Sequence, residues 1–283
     1  PGSEIAGTVV EVNGQAGVKP GDAVVVAPWL FCGQCRFCRV NNETLCERGG
    51  IIGRSTDGGY AEYVVVPSAN LVPLPAGLTL QDGAALGLAA LTAYHMLTDR
   101  ARLQRGETLL VVGASSGVGS YGVLLGNYLG AQVLATTTKP GKSEWVKALG
   151  ADEVIVVPSG TFAETVKAKC PGGVDVVFEH VGESTLPQSL ASLAPNGRVV
   201  ICGVSGGPRA DFDLRPFYSQ QQSLLGSRGG SRAELATVLA LAAAEKIRPV
   251  VDQVYPLERA QEAQERMEHG EQLGKMLLAP SGG

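Results

Sequence analysis

The chain has 283 residues, 45% hydrophobic and 18% charged. That is enough apolar material for two domains with buried cores, and it excludes a disordered chain. Lys and Arg number 23 against 27 Asp and Glu, for a net charge of -4 with no basic stripe, so nucleic acid is not an expected partner. Its most apolar runs, such as Leu235–Ala244, fall short of the roughly 20 residues that cross a bilayer. No basic-then-apolar leader opens the sequence; neither membrane insertion nor secretion is expected, and a cytoplasmic protein is. The 38 glycines close apolar runs singly or in pairs and read as turns and close-approach sites.

The sequence opens Pro1-Gly2-Ser3-Glu4, without an initiator Met, and enters a strand-like run at once, so further residues are expected upstream. Short β-type runs follow: Thr8–Val12, Ala23–Ala27 after the Pro20-Gly21-Asp22 turn, and Tyr60–Pro67 after Asp57-Gly58-Gly59. From Thr79 the period changes, and Leu80–Leu97 reads as apolar helical material. Strands and helices then alternate. Thr108–Val112, Gln132–Thr136, Glu153–Val157, Val174–Glu179 and Arg198–Ile201 are unbroken apolar strands, with helices expected at Gly117–Leu129 and Ser143–Leu149. Strands apolar on both faces belong to a covered parallel sheet. The tail reads as a helix over Arg232–Lys246, a strand Val250–Tyr255, a helix Leu257–Glu268 and a last strand Lys275–Leu278. The fold class is α/β: a doubly wound Rossmann sheet plus a β-rich domain. The expected domains are 1–89, 90–227 and a return segment 228–283.

Cys32, Cys35, Cys38 and Cys46 are spaced C-x2-C-x2-C-x7-C on a Gly-, Asn- and Arg-rich segment, which lets one loop wrap a tetrahedral ion. Four thiolates close the coordination sphere of a zinc ion and leave no open position, so the site would stabilise and not catalyse. Disulfides are the alternative, but neighbours three apart make strained partners. Arg36, Arg39 and Arg48 would offset the thiolate charge or simply be solvated. Cys170 and Cys202 read as ordinary thiols.

Thr108–Gly119 reads as strand, tight turn and helix start, the arrangement that receives a pyrophosphate on free amides and a helix N-terminus. In a G-x-G-x-x-G register Ala114 and Ser116 take the first two glycine positions and Gly119 the third. A plain strand-helix turn is the alternative. The next strand ends Thr136-Thr137-Thr138-Lys139-Pro140-Gly141-Lys142, with hydroxyls and lysines where an acidic residue would grip a ribose 2′-hydroxyl. Pairing of a 2′-phosphate with Lys142 or Lys139 points to NADPH; the alternative is a solvated helix start.

The sequence resembles the medium-chain dehydrogenase/reductase superfamily, in its zinc-type alcohol dehydrogenase and quinone oxidoreductase branches. The resemblance rests on Cys32–Cys38 with Cys46, Gly58-Gly59-Tyr60-Ala61-Glu62-Tyr63, Leu91-Thr92-Ala93-Tyr94, Gly113–Gly119, Ala148–Asp152 and Gly274-Lys275. It implies a GroES-like catalytic domain lacking about its first 50 or 60 residues, discontinuous in sequence, with the active site in the cleft beside a Rossmann domain. It also implies a homodimer or homotetramer through an added strand, for which Gln222–Ser227 is the matching segment.

In members with a catalytic zinc, the ligands include a His in a Gly-His-Glu motif and a Cys or carboxylate shortly before the Thr-x-Tyr segment. Here Ser3 and Leu88 occupy those positions, so a structural zinc without a catalytic one is expected. Without a Lewis acid, hydride delivery to an already activated acceptor is favoured over alcohol oxidation.

By resemblance Thr92 sits beside the nicotinamide; Ala114, Ser115, Ser116, Gly117 and Val118 lie on the pyrophosphate; Thr137 and Lys142 hold the adenosine phosphate; Gly203 and Val204 lie near the nicotinamide edge. Tyr94 is a candidate proton donor or a packed helix residue, and His180 a ribose ligand or a loop histidine. The leading expectation is an NADPH-dependent reductase of a small-molecule quinone, enone or similar activated acceptor, with one structural zinc per chain. A zinc-containing alcohol dehydrogenase is the second reading, and an NADPH-binding sensor or structural protein without turnover the third.

Overall fold

A computed structural model describes residues 1–14, 17–158 and 160–280. The chain divides into two compact units: Pro1–Leu91 with Gly229–Gly283, and Thr92–Arg228.

In the first unit β1 (Ile5–Thr8), β2 (Ala23–Val26) and a later strand, Leu71–Pro73, form a three-stranded antiparallel sheet with β2 in the middle. Val24, Val25 and Val26 of β2 are buried, as expected of the central strand. β3 (Trp29–Leu30) and β4 (Gly50–Ile51) pair as a short antiparallel ladder that closes the ends of the cysteine segment; Leu71–Pro73 is β5.

Three sequence expectations change here. The first strand is Ile5–Thr8 and not Thr8–Val12: the ladder to β2 runs from Ile5↔Val26 to Thr8↔Ala23, and beyond it Val9 bonds to Gly21 and Asp22 of the turn before β2. Tyr60–Pro67 forms no strand, and Val65 is 96% exposed. β-branched residues favour extended backbone, but a strand exists only beside a hydrogen-bonded neighbour, and no described element pairs with this segment. Leu80–Leu97 is helical, as expected, but in pieces: α1 (Leu80–Leu86) and α2 (Ala89–His95), followed by a π-helical turn at Met96–Arg100. Thr79 and Asp82 cap α1 reciprocally, at 3.2 and 2.8 Å. The break has a distant cause: Glu4 Oε1 accepts the N–H groups of Leu88 at 3.2 Å and Ala89 at 2.9 Å, and so caps α2 from across the unit.

The second unit alternates β6 (Thr108–Val111), α3 (Gly117–Leu129), β7 (Gln132–Thr137), α4 (Ser143–Ala148), β8 (Glu153–Val156), α5 (Ala163–Lys169), β9 (Val174–Glu179), α6 (Leu186–Ala191), β10 (Leu193–Ile201), α7 (Leu214–Ser219) and β11 (Ser223–Gly226). All six strands are parallel in the order β11-β10-β9-β6-β7-β8. Counted within the unit this is 3-2-1-4-5-6, the doubly wound Rossmann order, which reverses direction between β6 and β9. Leu110, Val177 and Val199 on three neighbouring strands are fully buried and join Phe162 and Val166 in one core. Each such side chain contributes about 1.5–3 kcal/mol. β10 begins at Leu193, earlier than its apolar run, and its register to β9 shifts before Arg198.

The tail supplies α8 (Arg232–Ala243), β12 (Val251–Pro256), α9 (Ala260–Glu268) and β13 (Lys275–Ala279) to the first unit. Ser231 and Glu234 form a second reciprocal cap at the start of α8, and β12 and β13 pair in parallel. Among the described residues no helix is long and apolar enough to cross a membrane.

Candidate zinc site and dinucleotide-binding turn

The sulfurs of Cys32, Cys35, Cys38 and Cys46 all lie within 4.8 Å of one another. Cys35 and Cys38 are 3.5 Å apart and Cys32 and Cys38 3.9 Å. A regular tetrahedron of thiolates at about 2.3 Å from zinc has edges of about 3.8 Å, so the set fits that ion. Short 3₁₀ turns at Cys38–Val40 and Glu43–Leu45 bend the segment, and Cys46 Sγ accepts the Cys32 N–H at 3.3 Å, drawing its two ends together. Electrostatics agree with a cation. The N–H groups of Gln34 and Cys35 draw the Cys32 thiol down to about 6, and that of Cys38 lowers Cys35. Burial pushes Cys38 up to about 12, so the fourfold thiolate forms only against a positive ion. Of the three arginines, Arg48 faces the Cys32 thiolate, which holds its guanidinium above the usual range; Arg36 pairs with Glu47 at 3.1 Å.

Ser3 and Leu88 belong to the same unit. Glu4, between Ser3 and β1, is committed: one oxygen caps α2 and the other pairs with Lys275.

In the second unit the turn after β6 lies at the switch point. Gly113 has φ +66°, where a side chain is strained, and a Cβ there would come to 3.1 Å from His180 Nε2, a tight contact. Ala114 is buried against the sheet, its N–H bonded to Thr136 O at 2.9 Å. Ser116 is the N-cap of α3: its hydroxyl accepts the Gly119 N–H at 3.0 Å and lies 3.1 Å from His180 Nε2. Gly117 and Val118 form the first turn of that helix. Burial lowers the His180 pKa, which favours a neutral ring.

Thr137 ends β7 and is 2% exposed, and its hydroxyl has no hydrogen-bond partner among the described residues; Ser143 Oγ, at the start of α4, is likewise buried and unpartnered among them. Lys142 lies between them on a 3₁₀ turn. Gly203 and Val204 follow β10, and Gly203 packs against the His180 carbonyl. The structure thus brings together the turn, His180 and Gly203. Thr92 and Tyr94 lie on α2, where residues two apart point to different sides; Thr92 is buried and Tyr94 half-buried.

Sequence reasoning missed three contributors. Thr136 accepts the Gly113 N–H on its hydroxyl at 3.1 Å and so braces the turn. Ser143 adds a second buried hydroxyl beside Lys142. Glu179 is a buried carboxylate at the end of β9. Only Glu179 carried a signal, as the one acidic residue closing an apolar strand.

A doubly wound unit with this turn, joined to a β-rich unit with a four-cysteine loop, defines a class of two-unit dehydrogenases. Residues 117–244 match the family model described as zinc-binding dehydrogenase, and residues 1–76 that of the alcohol dehydrogenase GroES-like domain. The chain is 32% identical over 285 residues to an NAD-dependent alcohol dehydrogenase of Saccharolobus solfataricus, covering 99% of this chain and 81% of that protein. It is 32% identical over 280 residues to an acryloyl-coenzyme A reductase of Metallosphaera sedula, covering 98% and 82%. A solved structure of a 2-octenoyl-CoA carboxylase reductase in complex with NADP and 2-octenoyl-CoA superposes with a TM-score of 0.93 at 31% identity, covering 98% of this chain and 67% of that one. The chain belongs to the zinc-binding dehydrogenases of the medium-chain dehydrogenase/reductase superfamily and is an oxidoreductase.

Proposed function

We propose that this oxidoreductase uses NADPH to reduce a small acceptor already activated toward hydride, a conjugated C=C bond or a quinone, and holds one structural zinc on Cys32, Cys35, Cys38 and Cys46. The observation that carries the acceptor class is the pair Ser3 and Leu88: a hydroxyl and an aliphatic side chain stand where the family's zinc-dependent members place ligands, and neither is a good donor to zinc. An acceptor polarised by its own conjugation needs positioning and a proton more than a Lewis acid. The acryloyl- and octenoyl-CoA reductases among its relatives, which act on such alkenes by name, support this class.

NADPH, when bound, supplies the hydride. The chain's own residues bind and orient it. The turn Ala114-Ser115-Ser116 and the first residues of α3, Gly117 and Val118, present amides and a helix N-terminus to the pyrophosphate. Thr137, Ser143 and Lys142 take the 2′-phosphate: two buried hydroxyls without partners each cost about 1–3 kcal/mol, which an acceptor-rich group would offset. His180 lies at the ribose, Gly203 and Val204 at the nicotinamide edge, and Thr92 beside the ring, with Tyr94 the candidate proton donor. β11, which carries the exposed Leu224, is an edge strand of the described sheet, the exposed Leu214 and Tyr218 lie on the helix that precedes it, and pairing of two such edges would make a homodimer.

The test is NADPH oxidation with enoyl thioesters, enones and a simple quinone, run beside elemental zinc analysis. One zinc per chain with turnover of a conjugated acceptor is the expected result. Two zincs, with alcohol oxidation that disappears when the second is removed, would overturn it. Lys142→Ala is expected to weaken NADPH about tenfold or more, the loss of one charge-assisted bond, and NADH hardly at all; equal losses in direct titrations would remove the 2′-phosphate assignment.

A further inference from the structure

The carboxylate of Glu179 is fully buried, and it accepts four hydrogen bonds. Oε1 takes the N–H groups of Val181 at 2.7 Å and Gly182 at 3.3 Å; Oε2 takes the hydroxyls of Thr185 at 3.0 Å and Ser189 at 2.6 Å. Such a set satisfies both oxygens of a buried carboxyl group. Its donors are themselves buried or half-buried. They belong to the loop after β9 and to α6, and that loop is the one that carries His180.

The loop in turn holds its neighbour. Val181 O accepts the Gly206 N–H at 2.6 Å, Gly207 O accepts the Glu183 N–H at 3.0 Å, and Gly203 lies so close to the His180 carbonyl that a Cβ would come to 2.6 Å. On the other side His180 reaches Ser116, the cap of α3, at 3.1 Å. Three segments at the carboxyl ends of the strands, 113–116, 180–183 and 203–207, therefore hang together, and one side chain fixes the middle one.

We infer that Glu179 is a positioning residue for the cofactor: through Val181 and Gly182 it sets the loop that aligns His180 with the pyrophosphate turn and Gly203 with the nicotinamide edge, while leaving the adenosine-phosphate end at Thr137 and Lys142 untouched. The inference rests on the reading of these segments as the dinucleotide site. It separates two halves of one ligand, and a fragment therefore tests it.

The experiment is equilibrium titration of the purified protein with NADPH and with adenosine 2′,5′-bisphosphate. Glu179→Leu is expected to weaken NADPH about tenfold or more while the bisphosphate stays within about threefold. Glu179→Gln restores NADPH affinity to within about threefold, because the amide oxygen still accepts from Val181 and Gly182 and the hydroxyls of Thr185 and Ser189 can turn to accept from the amide nitrogen. If the leucine variant does not fold, Glu179→Asp, one methylene shorter, takes its place with the same expected split. Equal losses of both ligands, or no loss of either, would reduce Glu179 to an ordinary core residue and overturn the inference. Wild-type protein that binds neither ligand would instead bring down the dinucleotide reading, and the positioning role with it.

Discussion

Cys46 stands apart from the other cysteines in sequence, yet its sulfur accepts the Cys32 N–H and completes the set of four. Replacing it leaves three thiols, one of them driven up by burial, and a coordination sphere open to water. Cys46→Ser is therefore expected to lower zinc from one ion per chain to well below that, and to lower the unfolding midpoint of its unit by roughly 5–10 °C. Elemental analysis and calorimetry on the same preparation check both; unchanged zinc content would show that three cysteines suffice. The cysteine spacing made this cluster legible, because all four cysteines lie on one short segment. Thr136 and Glu179 were not legible in that way. A threonine and a glutamate at strand ends gain a role only once the sheet order sets β6 between β7 and β9, and sequence spacing does not carry that order.

Elements whose signals are local came out as expected, and those whose limits depend on distant residues did not. α3 runs over Gly117–Leu129, its start written by Ser116 and its end by Gly130. The split of Leu80–Leu97 depends on Glu4, and the missing strand at Tyr60–Pro67 on the lack of a neighbour. A non-local fastening also holds the sheet's entry. Arg198 on β10 makes two parallel bonds to Glu107, at 2.9 and 2.6 Å, and its Nε donates to Ala101 O, tying the segment before β6 to a strand two places away. Both side chains are about four-fifths buried. Arg198→Met would leave Glu107 half-desolvated without its partner, at an expected cost of about 2–4 kcal/mol in denaturant unfolding. Burial alone would raise the Glu107 pKa, but the hydrogen bonds from Arg198 and Gln104 outweigh it and hold it low. A depressed folded pKa means that the stabilisation is complete above the ordinary glutamate value of about 4.3 and is lost as pH falls below it. The gap between wild type and variant should thus be constant near neutrality and narrow below about pH 4; a gap that widens in acid would contradict the pairing.

Each unit has its own sheet and its own buried side chains, Val25, Val72 and Leu86 in one and the Leu110–Val177–Val199 cluster in the other. A unit with its own core is able to unfold by its own transition. The two sites are also divided between them: the cysteine set lies in Pro1–Leu91 with the tail, the glycine turn in Thr92–Arg228. A ligand stabilises only what it binds in the folded state, by about 2.7 kcal/mol at a hundred times its Kd. For a unit the size of Thr92–Arg228 that is an upward shift of roughly 8–12 °C. On the proposed function, scanning calorimetry is expected to show NADPH raising one transition and a zinc chelator lowering the other, with NADH raising the first by less, as the proposed 2′-phosphate site at Thr137, Ser143 and Lys142 requires. One transition raised by NADPH and lowered by the chelator would mean that the discontinuous unit and the unit inserted in it unfold as a single block, and cooperativity would then have to be sought between the cores and not within each.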